Sequence, residues 1–281
     1  MAAPPPPPAL LKHHRDNNRV TADGWDRFAE HRRRQSDLVI DAGGGTLAVL
    51  GAGNCNDLEL ERVAAVFESI HLIDLDEQAI QRARSRQLAA VAAKVVLRAP
   101  IDVSGALSEL PRLRGKTVSA AQLGALSRTA VDNVVAALPE RFDTVLSACL
   151  MSQIMHSCSV ALSSHPQLAP IGNALAVAHL RALLALVRPG GRVVFVTDTV
   201  SSDTYPLREL WGQQAPAALL AHLDQTGNVL SGTGITFVRQ VLAAESSLLA
   251  ERPRLVEPWL WQMHEDVTMM VYALTLRRLP G

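Results

Sequence analysis

The chain has 281 residues, 48% of them hydrophobic, and balances 27 Lys and Arg against 27 Asp and Glu. That length and apolar content supply a core for one large α/β domain or two small ones, and the zero formal charge leaves no overall field to draw the protein to nucleic acid or an anionic membrane. Three cysteines, Cys55, Cys149 and Cys158, form no CxxC pair, so neither a disulfide framework nor a bound metal is expected, and a reducing, cytoplasmic setting is.

Residues 1–20 join a run from Pro4 to Pro8 with His13, His14, Arg15, Asp16 and Asn17, a composition short of apolar surface that reads as a disordered tail. A proline run cannot serve as the apolar core of a signal peptide, and no uninterrupted apolar run approaches the ~18 residues of a membrane span. Residues 21–281 read as one domain, with 21–46 a helical cap at its edge: Trp25, Phe28, Leu38 and Ile40 alternate with charges as on an amphipathic helix. The basic run His31 to Arg34 reads as the solvated face of that helix.

Short apolar runs then alternate with helical patterns. Leu47 to Leu50, Ile70 to Ile73, Lys94 to Arg98, Phe142 to Leu146 and Arg192 to Thr197 read as buried strands, and the stretches near 57–69, 77–93, 119–138 and 173–188 as helices. Such alternation predicts a doubly wound α/β fold, a mostly parallel seven-stranded sheet with helices on both faces. Thr268 to Leu276 follows no crossover helix and reads as an antiparallel last strand. Residues 199–258 read as an insertion, a lid over the acceptor site or, more plainly, a helical excursion, and Trp259 and Trp261, two apart, suit one face of a strand.

Two glycine clusters compete for the role of ligand-binding loop. Gly43 to Gly45 leads into a strand, whereas Gly51-Ala52-Gly53-Asn54-Cys55-Asn56 leaves a strand and opens a helical pattern in which Leu60, Val63, Ala64 and Phe67 share one face. Asn56 with Glu59 three residues later has capping-box spacing. The second cluster is therefore the binding loop, and the first a turn. Across the crevice from it, Asp74 ends the second strand where its carboxylate can accept from both ribose hydroxyls of an adenosine; Asp76 is placed to cap the next helix. After the third strand, Asp102 is placed to accept from an adenine amino group or to cap its own loop. A dinucleotide fingerprint wants glycine at the sixth loop position; Asn56 stands there, so a ligand without a pyrophosphate fits better.

Taken in order, Val49-Leu-Gly-Ala-Gly53, His71-Leu-Ile-Asp74, Ile101-Asp-Val103, Phe142-Asp-Thr-Val-Leu146 and Val187-Arg-Pro-Gly-Gly-Arg-Val-Val-Phe195 resemble the motifs of class I S-adenosylmethionine-dependent methyltransferases, over residues 47–198. The resemblance implies a Rossmann-like domain with S-adenosyl-L-methionine as cofactor. It implies that Gly51, Ala52, Gly53 and Asn54 approach the methionyl end, Asp74 and Leu75 the ribose, Asp102 and Val103 the adenine, and Ser147 the fourth strand's end of the pocket. Two positions depart from the family pattern: Val49 stands where an acid is common, and Cys55 where a third glycine is common.

Methyl transfer from a sulfonium needs alignment in a dry pocket and, for some acceptors, a base. The acceptor is expected near Ser147 to His156, beyond the fourth strand, where His156 is the side chain whose ordinary pKa suits proton abstraction. A small-molecule acceptor is expected from the neutral charge. A cofactor-binding regulator or partner subunit without turnover is the reading that the altered first motif leaves open.

Overall fold

Each predicted buried run becomes a strand of one sheet in the computed structural model, which describes residues 5–281. The strands are β1 (Gly45–Leu50), β2 (Phe67–Ile73), β3 (Val95–Arg98), β4 (Phe142–Ala148), β5 (Val187–Ser201), β6 (Arg254–Gln262) and β7 (Thr268–Arg277), in the order β3-β2-β1-β4-β5-β7-β6. β1 to β5 are parallel; β7 lies antiparallel between β5 and β6. The parallel strands explain the continuous apolar runs, because both faces are covered. Ala48, Leu50, Phe195, Tyr272 and Leu274 enter one core, and Leu47, Val49, Val194, Val196 and Val271 the other. Fully burying one such side chain is worth about 1.5–3 kcal/mol relative to exposure.

The helices are α1 (Pro8–Val20), α2 (Ala29–Asp41), α3 (Leu60–Val66), α4 (Glu77–Ser85), α5 (Ala89–Ala92), α6 (Ala120–Ala137), α7 (Leu150–Leu162), α8 (Leu168–Leu186), α9 (Leu207–Leu210), α10 (Pro216–Gln225) and α11 (Ile235–Ala244). Several differ from the sequence reading. Pro8–Val20 is a helix where a tail was expected: Pro8 sits in its first turn, where proline's missing N–H is harmless, and Leu10 is buried among core residues. Residues 1–4 of that tail lie outside the described residues. The helix expected at 57–69 is short because Phe67 already begins β2. The capping box is not formed; the Glu59 N–H donates to Ser36 Oγ at 2.8 Å, and Asn56 is engaged elsewhere. The stretch 77–93 breaks into α4 and α5.

The segment 199–258 is a helical excursion whose apolar faces join the core. Leu219, Leu220 and Leu223 of α10 and Val238 and Leu242 of α11 are at most 1% exposed and pack with Tyr272 and Leu274 of β7. α8 is long and apolar enough to cross a membrane by length and composition; here Ile171, Leu175, Leu180, Leu183 and Leu186 lie in the core. The basic run is solvated only in part. Arg33 and Arg34 pair with Glu30 at the surface, whereas His31 and Arg32 are buried beneath Trp259, Trp261 and the loop at Asn56. A helix laid over a sheet edge must turn some polar positions inward, and these two have partners there.

Candidate functional site

The strand order reverses between β1 and β4, and the crevice at their carboxyl ends is where open α/β sheets bind ligands. The chain turns sharply as it leaves β1. Gly51, Gly53 and Cys55 take φ of 73°, 49° and 52°, so alternate residues occupy the left-handed region that glycine adopts freely. The N–H groups of Gly51 and Ala52 both donate to the Ile73 carbonyl, tying the loop to the end of β2. Cys55 takes a glycine-like conformation and turns its thiol into the core, 5% exposed. The strain of a non-glycine residue there is about 1–2 kcal/mol.

Asp74, 8% exposed, meets this loop: its Oδ2 accepts from the Gly53 N–H and its Oδ1 from the Asp76 N–H, both at 2.8 Å. Burial raises its pKa, opposed by those two backbone donors. Each carboxylate oxygen has a second lone pair, so the group can still accept from a diol. Asp76 caps α4 as expected, accepting from the Gln78 N–H at 3.1 Å. Asp102 is half-buried in its own turn, with Oδ1 accepting from the N–H and hydroxyl of Ser104 and Oδ2 from the Leu107 N–H. Burial raises its pKa too.

Gly51, Asp74, Leu75, Asp102 and Val103 line one cavity, together with Ser104, Leu107 and the inward face of α7. That face is Leu150, Gln153, Ile154 and Ser157, spaced i, i+3, i+4, i+7. Its fourth side is His14 of α1. The space left between them is about 20 Å³, room for a single water.

Other predicted site residues lie elsewhere. Ala52 is packed in the core on the far face of the sheet. Asn54 braces the surroundings: its Nδ2 donates to the Asn18 carbonyl at 2.5 Å, and its Oδ1 accepts from the Arg82 guanidinium. Ser147, fully buried, is turned away toward α8, with its hydroxyl 2.8 Å from His179 Nε2. His156 is exposed on the outer side of α7, its ring 4.6 Å from that of His13. It is not among the residues that line the cavity, preceding the lining Ser157 by about 100° around the helix.

A second group of ionisable side chains stands at the same sheet edge. Asp198, near the end of β5 and 5% exposed, accepts from Ser152 Oγ at 2.6 Å, and burial pushes its pKa up to about 6. Ser152 adjoins Gln153 on α7, so this carboxyl is one residue removed from the cavity wall. Asp57 is pushed up to about 7 by burial, with the nearby Arg32 opposing and Asp198 adding to the rise. His31 Nε2 lies 3.8 Å from Asp57 Oδ1, but burial and Arg32 push His31 down to about 3, so the pair is not an ion pair near neutrality. Trp259 Nε1–H donates to His31 Nδ1 at 3.1 Å, and Trp261 stacks on the same ring at 4.4 Å. Both tryptophans thus pack on one sheet face, as their spacing predicts.

The sequence reading missed α7 and His14. The apolar spacing of residues 150–162 carried a signal for α7. Nothing local marks His14, whose position depends on α1 docking across the crevice.

No protein-family model and no curated protein matches the chain. It is similar in structure to the N-methyltransferase NodS from Bradyrhizobium japonicum WM9, with 13% identity over 90% of this chain and 98% of that one and a TM-score of 0.42. It is similar to an rRNA methylase from Streptococcus thermophilus, with 11% identity over 88% and 95% and a TM-score of 0.40. A DhpI–SAM–HEP complex overlaps with 12% identity over 95% and 98% and a TM-score of 0.46. Overlap at this level is one of general outline, whereas the strand order, the antiparallel β7 and the crevice at the reversal point are specific. Together they make this a Rossmann-like α/β fold with an antiparallel β7.

Proposed function

We propose that the protein binds S-adenosyl-L-methionine and transfers its methyl group to a small-molecule acceptor. The observation that carries this reading is the convergence of Gly51, Asp74, Leu75, Asp102 and Val103 on one cavity at the strand reversal point. The donor set suits a nucleoside. Asp74 offers free lone pairs at the tip of β2, Leu75, Val103, Leu107 and Ile154 offer apolar surface to a planar base, and Gly51 brings backbone close at the methionyl end. Nothing in the set is a cation arranged for a pyrophosphate.

When bound, the cofactor supplies an electrophilic methyl on a sulfonium. The residues of the chain would do the rest. Asp74 would fix the ribose, α7 would exclude water from one side, and Gln153 would orient the acceptor at the cavity wall. A carboxyl with a pKa of about 6 can hold a proton released near neutrality, which makes Asp198, linked through Ser152 to the cavity wall, the group we assign as acceptor of the substrate proton.

Titration calorimetry with S-adenosylhomocysteine tests the reading. Binding at micromolar concentrations that is lost in Asp74→Ala, and is not displaced by NAD, is the expected result. No binding at any pH, with or without α1, refutes it. Binding without turnover across a panel of amine, hydroxyl and carboxylate acceptors would instead favour a cofactor-binding regulator.

A further inference from the structure

α1 lies across the crevice as its fourth wall, yet it is lightly held. Of its residues only Leu10 is buried. Leu11 packs, half-buried, against the same core, and the remaining ties are polar and run to the elements that form the cofactor site. The Ser157 hydroxyl donates to the Gln153 carbonyl, so it accepts from His14 Nε2–H at 3.0 Å. Asn18 Nδ2 donates to Asp76 at 3.2 Å, and the carbonyls of Asn18 and Thr21 accept from the side-chain amides of Asn54 and Asn56.

These contacts fill the space that the binding loop leaves open. A Cβ placed on Gly53 would stand 2.7 Å from Asn18 Oδ1, so the close approach that this glycine permits is taken by α1. With His14 lining the same cavity as Asp74 and Asp102, the remaining volume holds about one water and no nucleoside.

We propose that α1 is the gate of the cofactor site: docked as seen here it excludes the cofactor, which enters and stays only with α1 undocked. This inference rests on the cofactor reading above. A 13-residue helix is marginal alone in water, so undocking also melts it. The apparent affinity is then the intrinsic one reduced by the fraction of molecules whose gate is open.

The gate has a built-in response to acid. His14 meets His13 at a ring distance of 5.9 Å, and His13 meets His156 on α7 at 4.6 Å. Burial, then His13 and His156, push His14 down to about 4, with Asp76 opposing; burial and His156 lower His13, with Asp16 opposing. Undocked, these imidazoles return toward their usual value. The undocked state therefore takes up protons that the docked state refuses, so docking is strongest above about pH 6.5 and weakens as pH falls toward 4. For His14 alone, lowering the pH from 8 to 5.5 shifts the docking equilibrium about tenfold toward open.

The test is stopped-flow and calorimetric binding of S-adenosylhomocysteine to the full-length protein, Leu10→Ala and Asn18→Ala at pH 8 and 5.5. Hydrogen exchange over residues 8–20 is measured with and without the ligand. The gate predicts apparent affinity and association rate raised roughly tenfold or more in Leu10→Ala at pH 8, a similar rise for the parent protein at pH 5.5, and faster exchange over 8–20 in the complex. Asn18→Ala, which opens no core cavity, moves the same way if Leu10→Ala fails to fold. Parent binding that is unchanged or weakened in both variants, with exchange over 8–20 slowed by ligand, overturns the gate and leaves the cofactor reading intact. Failure of the parent and both variants to bind overturns the cofactor reading itself.

Discussion

Replacing Asp198 by Asn should stabilise the protein, and only above a defined pH. Asp198 is 5% exposed, accepts one hydrogen bond from Ser152 and has its pKa pushed to about 6 by burial. In the unfolded chain the same carboxyl ionises near its ordinary value of 3.8. Below about pH 4 the group is protonated in both states and costs nothing. Between about pH 4 and 6 the unfolded chain gives up a proton that the folded one retains, so stability falls as pH rises through that window. A shift of about two units corresponds to about 3 kcal/mol lost by pH 8. Asn keeps the volume and the acceptor for Ser152 Oγ–H and cannot ionise. Guanidinium unfolding of both proteins from pH 4 to 8 should therefore give curves that coincide at the acid end and separate by about 2–3 kcal/mol at pH 8, the variant being the more stable. A parent protein more stable at pH 8, or a difference independent of pH, would refute the burial argument. If Asp198 takes the substrate proton, the stabilised variant also loses turnover, a conflict common where function keeps a destabilising group.

Two further substitutions probe what Ser147 and helix α10 do. Ser147→Ala removes the partner of buried His179 and should cost about 1–3 kcal/mol in denaturant unfolding, with S-adenosylhomocysteine affinity within about twofold of the parent; a lost affinity would return Ser147 to the cofactor site. Leu220→Ala, at a fully buried position of α10, should cost about 2–5 kcal/mol, whereas a lid residue would change ligand kinetics and leave stability alone.

The fold was legible where physics is local and repetitive. Runs such as Leu47 to Leu50 and Val193 to Val196 are apolar at every position because both sheet faces are covered, and the change from strand period to helix period after Gly53 picks out the binding loop from its neighbour at Gly43. Asp74 and Asp76 were legible for the same reason, as a strand tip and a helix cap two residues apart. Ser147 and His156 were not, because which way a side chain turns at the end of β4, or around α7, depends on partners as distant as His179 and His13. α1 was hidden by composition. Its apolar contribution is only Leu10 and Leu11 in an otherwise polar stretch after a proline run, and its position is set by Asn54, Asn56, Asp76 and Ser157, none of them nearby in sequence.

The three thiols are all buried, and burial raises each above its ordinary pKa, Cys158 to about 11. Because the thiolate is the reactive species, maleimides and iodoacetamides should leave the folded chain untouched. The molecule is in effect cysteine-silent while folded. A single thiol introduced at an exposed point of α1, such as Arg15, would carry a fluorophore or spin label with no need to remove the native three. A second at the surface of α4 would turn the distance across the crevice into a directly recorded signal.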